Sequence, residues 1–238
     1  MEQTGPADRR SSFGVRTAGA LILASGVLAL GLVTIGSGYT SADGPAEVVE
    51  AIGESSNRGF FQWVVFWAIA WALFAAGVLA LALAIGRAVP STVTSGLAVG
   101  AAAMTVVGAA LRAVDPAVLS ALVNRWPEDS DPAQVVTSSG DVVRLDSAAS
   151  LEVIDQIRFG LEQTGYGVLG VAMFLLCAAL FGSGRAVHPF VGISPLFIGL
   201  YWIAQTAAGD GVSPWIAAMG LPTLGALVLL AAHRRTDL

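Results

Sequence analysis

At 238 residues, 55% hydrophobic and only 12% charged, with mean hydropathy +0.73 and net charge −5, the chain has too little polar surface to cover a globule in water; a soluble domain carries about 25% charged residues. The single cysteine, Cys177, excludes an intrachain disulfide, a CxxC redox pair and a thiolate cluster. The absence of lysine excludes a retinal or pyridoxal Schiff base and a P-loop.

Six apolar runs occupy roughly residues 14–36, 60–86, 91–111, 164–182, 187–207 and 214–232, each near or above the about 18–20 residues that cross hydrocarbon as a helix. Backbone groups in hydrocarbon must pair within their own segment, and the continuously apolar runs lack the alternation of barrel strands, so helices are expected. Residues 1–12 are polar and read as a disordered tail. Arg9-Arg10-Ser11-Ser12-Phe13 has features of a secretory signal. The apolar stretch behind it is longer than a typical signal core and five more follow, so it reads as a retained first helix.

The first long loop, about residues 37–59, contains a short amphipathic segment at 47–52. The second helix opens on Phe60, Phe61, Trp63, Trp67 and Trp71, and the tryptophans, four apart, form one stripe suited to the headgroup belt and to packing. Two short hairpins look alike: Gly86-Arg87-Ala88-Val89-Pro90 and Gly184-Arg185-Ala186-Val187-His188-Pro189. Glycine closing one helix and proline opening the next explains the likeness as convergent turn chemistry; a duplicated two-helix unit is the other reading. In helix three, Gly96/Gly100 and Ala101/Thr105/Ala109 mark a close-packing face.

Between helices three and four lies an insert, residues 112–163. Asp115-Pro116 reads as the start of a new short helix that Trp126-Pro127 ends. After an acidic loop, residues 134–145 read as a β-hairpin turning at 138–141. From about Ser147 a helix runs into span four, with Asp155, Arg158 and Glu162 spaced as a charge ladder on one face.

Arginine placement orients these spans. With the N-terminus cytoplasmic, the inner segments hold Arg9, Arg10, Arg16, Arg87, Arg185, Arg234 and Arg235 against only Glu2, Asp8 and Asp237. Both short inner loops carry arginine, whereas the short outer turn at 208–213 carries only Asp210. The expectation is an all-α membrane protein: a cytoplasmic tail at 1–12 and one six-helix transmembrane domain at 13–238. Its N- and C-termini are cytoplasmic, and a small extracytoplasmic insert (short helix plus β-hairpin) lies between helices three and four.

Candidate chemistry is sparse. His188 and His233 lie at helix ends on one side and cannot ligate a haem between them; no acid lies deep in a span and no Gly-x-Ser-x-Gly elbow occurs. No catalytic residue, metal site or cofactor is expected. Arg112, Glu162, Gln163, Gln205 and Gln62 fall at helix ends on the outer side and form a candidate binding vestibule, with snorkelling to headgroups as the plain alternative. Pro195 and Pro222 fall near mid-span in helices five and six as candidate helix breaks.

The runs Arg16-Thr17-Ala18-Gly19-Ala20-Leu21-Ile22-Leu23 and Ser183…Pro189-Phe190-Val191-Gly192-Ile193…Gly199-Leu200-Tyr201 resemble a widespread family of uncharacterised bacterial and archaeal six-helix membrane proteins, a domain of unknown function. The resemblance implies a fold and no activity. The expected role is a non-enzymatic accessory or structural protein of the prokaryotic cell membrane, presenting its outer segment to a membrane-protein partner or to a second copy. A small-solute transporter with an outward polar vestibule is the alternative. The lipid bilayer is an expected partner, and nucleic acid is not.

Overall fold

Long apolar runs without competing polar groups fold as the elements that satisfy their own backbone, and six helices result among the described residues. The computed structural model describes residues 6–35, 57–89, 91–123, 134–136, 142–144, 147–183, 189–208 and 214–234. In chain order the helices are α1 (Pro6–Ile35), α2 (Asn57–Ala88), α3 (Thr92–Val123), α4 (Ser147–Gly182), α5 (Pro189–Ala208) and α6 (Pro214–Arg234). Four are long and apolar enough to cross a membrane, over Gly14–Thr34, Phe61–Ala88, Thr92–Val114 and Gln156–Gly182. Shorter apolar stretches occupy α5 (Val191–Ala207) and α6 (Met219–His233). Strands β1 (Gln134–Val136) and β2 (Val142–Arg144) pair antiparallel, with Val135 opposite Val143.

Local signals set several boundaries. Pro6, Pro189 and Pro214 each open a helix, where the missing N–H costs nothing. Ser91 caps α3: its Oγ accepts from the Thr94 N–H at 3.4 Å.

Three expectations need correction. Helix α1 starts at Pro6 and takes in most of the tail expected to be disordered; the proline fixes the first turn and the following residues tolerate helix. Helix α2 passes through Gly86 to Ala88 instead of closing on the glycine. Helix α3 runs unbroken through Asp115-Pro116 to Val123, so no new helix begins there. The amphipathic segment at 47–52, the Trp126-Pro127 stop, the hairpin turn at 138–141 and the second short hairpin at 184–188 lie outside the described residues.

The helices form a closed ring, each packed antiparallel on the next and α6 returning to α1. Small residues let the backbones approach at the seams. At α1–α6, a Cβ on Gly19 would meet Leu229 at 2.8 Å, and Gly26 abuts Pro222. At α3–α4, a Cβ on Gly108 would meet Leu169 at 2.6 Å; at α4–α5, one on Gly170 would meet Ile203 at 2.6 Å. In helix three, Ala101, Thr105 and Ala109 are buried as expected, but a Cβ on Gly96 would meet nothing within 4 Å. The close approach of α3 falls two turns after Gly100, at Gly108.

The ring has a packed centre. Trp202 of α5 reaches Trp71 and Phe74 of α2, with ring centroids 6.2 and 5.8 Å apart. Exposed faces are as apolar as buried ones, carrying Phe66, Leu83, Val99, Phe197 and Leu230, as expected of helices that are hydrophobic all round.

Candidate functional site

Polar chemistry concentrates at one end of the bundle, where α3 leaves its apolar stretch and α4 enters its own. Arg112 is 4% exposed there. Its Nη1 lies 2.7 Å from Glu162 Oε1, its Nη2 donates to the Tyr166 hydroxyl at 3.1 Å, and its guanidinium carbon sits 4.2 Å from the centre of the Tyr166 ring. Glu162 and Tyr166 are four apart on α4 and therefore share a face. Gly165 between them makes room for the arginine stem: a Cβ there would lie 3.0 Å from Arg112 Cδ.

The backbone of Arg112 is tied down as well. Pro116 has no N–H to donate to the carbonyl four residues earlier, which is that of Arg112. The Trp67 indole Nε1 donates to that oxygen at 3.3 Å. One turn before it, the Trp63 indole donates to Leu32 O at 3.1 Å, in the last turn of α1. Trp63 stacks on Trp67 at 5.5 Å, and Trp67 meets Trp71 edge-on at 6.0 Å. The stripe of tryptophans on α2 therefore serves two carbonyls on neighbouring helices. Its third member has none: Trp71 is 6% exposed, and its Nε1 has no hydrogen-bond partner among the described residues. The same holds for Trp202 Nε1, fully buried 6.2 Å away, centre to centre. The Arg112 guanidinium is 6.0 Å from the Trp71 ring centre.

Of the sequence-derived candidates, Arg112 and Glu162 come together directly. Gln205 is 6% exposed on α5, three residues after Trp202, and its Nε2 donates to the Tyr201 hydroxyl at 2.8 Å. The Gln163 carbonyl accepts from the Thr206 hydroxyl at 3.3 Å, joining α4 to α5, while its Oε1 is buried with no partner among the described residues. Gln62 is exposed near the start of α2. Pro195 is buried in α5, and the carbonyl it leaves without a donor, Val191 O, accepts from Ser194 Oγ at 3.2 Å. Pro222 packs on Gly26 of α1. Both prolines thus sit inside continuous helices.

Sequence reasoning missed Tyr166, Tyr201 and Trp202 as members of this cluster. The four-residue spacing from Glu162 to Tyr166 was a usable signal; Trp202, in an unbroken apolar run, gave none. The arrangement is an ion pair that neutralises itself, backed by indole and phenol donors. Among the described residues no group of three or more His, Cys, Asp or Glu converges on a metal position. No protein-family profile, curated protein or solved structure matches this chain.

Proposed function

We propose that this is a multi-pass protein of the prokaryotic cell membrane whose six helices all span, with both termini cytoplasmic. In that membrane it acts as a non-enzymatic accessory or structural protein, presenting the α3–α4 connection on the outer side to a partner or to a second copy. The 20 residues of α5 and 21 of α6 each give a length of roughly 30 Å, enough for the hydrocarbon core. Seven of the twelve arginines fall on the cytoplasmic side in this arrangement.

One observation carries the presenting role. Helices α3, of 32 residues, and α4, of 36, are each longer than the about 20 residues that span hydrocarbon, and the β1–β2 pair lies between them in the chain. The Arg112–Glu162 bridge fastens the two to each other. At 1.5 Å per residue the two helices exceed the roughly 30 Å hydrocarbon core by roughly 18 and 24 Å.

Two experiments test this. In a Cys177→Ser background, cysteines at Asp43, Ser139 and Asp210 label from outside intact cells, and those at Ala88 and Ala186 do not; labelling at Ala186 sinks the six-span arrangement. Native mass spectrometry of gently extracted protein shows a stoichiometric partner or oligomer, and a bare monomer counts against presentation.

The burial of Arg112 and Gln205 at the same end favours a second reading, a small-solute transporter or permease with a vestibule formed by Arg112, Glu162, Gln163, Gln205 and Gln62. That reading fails if Arg112→Ala, Glu162→Gln and Pro222→Ala all leave uptake unchanged.

A further inference from the structure

We propose that the indole N–H groups of Trp71 and Trp202 form a binding site for the carbonyl oxygen of an uncharged, largely apolar small molecule. This deepens the solute reading by naming a ligand class, and it does not depend on the presenting role.

The inference starts from an imbalance within one stripe of side chains. Trp63 and Trp67 each donate to a backbone carbonyl of a neighbouring helix, at 3.1 and 3.3 Å. Trp71 continues the stripe with the same donor and no acceptor among the described residues, and Trp202 faces it in the same condition. A donor left unpaired in a dry interior forfeits its hydration without replacement, and here two lie in rings 6.2 Å apart. A carbonyl oxygen has two lone pairs and accepts two such bonds.

Charge decides the class of molecule. Among the described residues, the Arg112 guanidinium lies 6.0 Å from the Trp71 ring and already holds Glu162 at 2.7 Å. No net positive charge is left over to offset the desolvation of an anion. A cation is disfavoured too, because the free groups are donors. Water is a poor occupant: its own hydrogens need acceptors, and Phe74, edge-on to both tryptophans, supplies none. The neighbouring core is apolar, with Leu169, Met173 and Leu224 fully buried, which matches an apolar body behind one oxygen.

The test uses the full chain, labelled with 15N-tryptophan, in phosphatidylcholine nanodiscs, where the six tryptophans are followed by their indole N–H signals. Three probes of one chain length are added in parallel: 2-octanone, n-octane and octanoate. Two indole signals move and saturate with 2-octanone alone. Trp71→Phe and Trp202→Phe, each confirmed helical by circular dichroism, each remove one moving signal and weaken 2-octanone binding about fivefold, the loss of one neutral hydrogen bond. Identical responses to 2-octanone and n-octane overturn the proposal, as does saturation by octanoate in preference to the ketone. So do two upfield indole signals fixed under every probe, which mark N–H groups donating into ring faces. The wild-type titration stands even if a variant fails to fold. Binding of 2-octanone without any uptake phenotype refutes transport and keeps the site; uptake that depends on Arg112 without ketone binding does the reverse.

Discussion

Removing Glu162 should cost far more than removing its partner. In the ion pair the Arg112 side chain is 5% exposed and the Glu162 side chain 27%. Breaking a buried pair from one side costs about 3–5 kcal/mol, because the surviving charge is stranded away from water. In Glu162→Ala the stranded charge is the guanidinium, which keeps the Tyr166 hydroxyl and ring. That places the loss near the bottom of the range, at about 3 kcal/mol. In Arg112→Leu the stem volume beside Gly165 is kept and the stranded charge is a carboxylate with access to solvent, so the loss falls to about 1 kcal/mol. The double variant strands no charge and should be no less stable than Glu162→Ala alone. Reversible unfolding of each variant in mixed SDS micelles, followed by far-ultraviolet circular dichroism, measures all three. Equal losses from the two single variants, or strict additivity in the double, would falsify this account of the pair.

Trp67→Phe should cost about 1 kcal/mol in the same assay, and close to nothing in a Pro116→Ala background, where the new N–H at 116 satisfies the Arg112 carbonyl itself; a cost that ignores residue 116 refutes the pairing. Gly26→Ala should fail to assemble or lose more than about 2 kcal/mol, because its Cβ runs into the Pro222 ring and backbone. Gly96→Ala, facing open space, should instead be neutral or stabilise by up to about 1 kcal/mol through helix propensity. Ser25→Ala deletes a 2.7 Å bond to Ala70 O between α1 and α2 and should cost about 0.6 kcal/mol, the usual worth of such bonds between membrane helices.

The helices themselves were legible because length and apolarity are properties of a run, and tertiary context does not alter them. Which face of each helix turns inward was not. In a soluble helix an apolar stripe marks the core, but here Val99, Phe197 and Leu230 are exposed while Ala98, Ile198 and Leu224 are buried, so the pattern carries no direction. Arg112, Glu162 and Gln205 were visible as polar interruptions near the ends of such runs, where burying them demands a partner. Trp71 and Trp202 were invisible as site residues, since an indole in an apolar run reads as packing whether or not its N–H is satisfied.

The prolines show how local rules fail and what their failure reveals. A break at Pro116 is what the local chemistry dictates, and the helix survives because Trp67, on another element, replaces the missing donor. At Pro195 the replacement comes from Ser194 within the helix. In both places the freed carbonyl is already taken, so neither proline presents bare oxygen to a cation or to an N–H-bearing substrate, as interrupted helices in transporters do. Among the described residues, what the aromatic centre leaves unsatisfied is of the opposite kind: two indole donors. A ligand held at that centre must therefore bring acceptors, which turns the search for a solute away from amines and metal ions and toward carbonyl compounds.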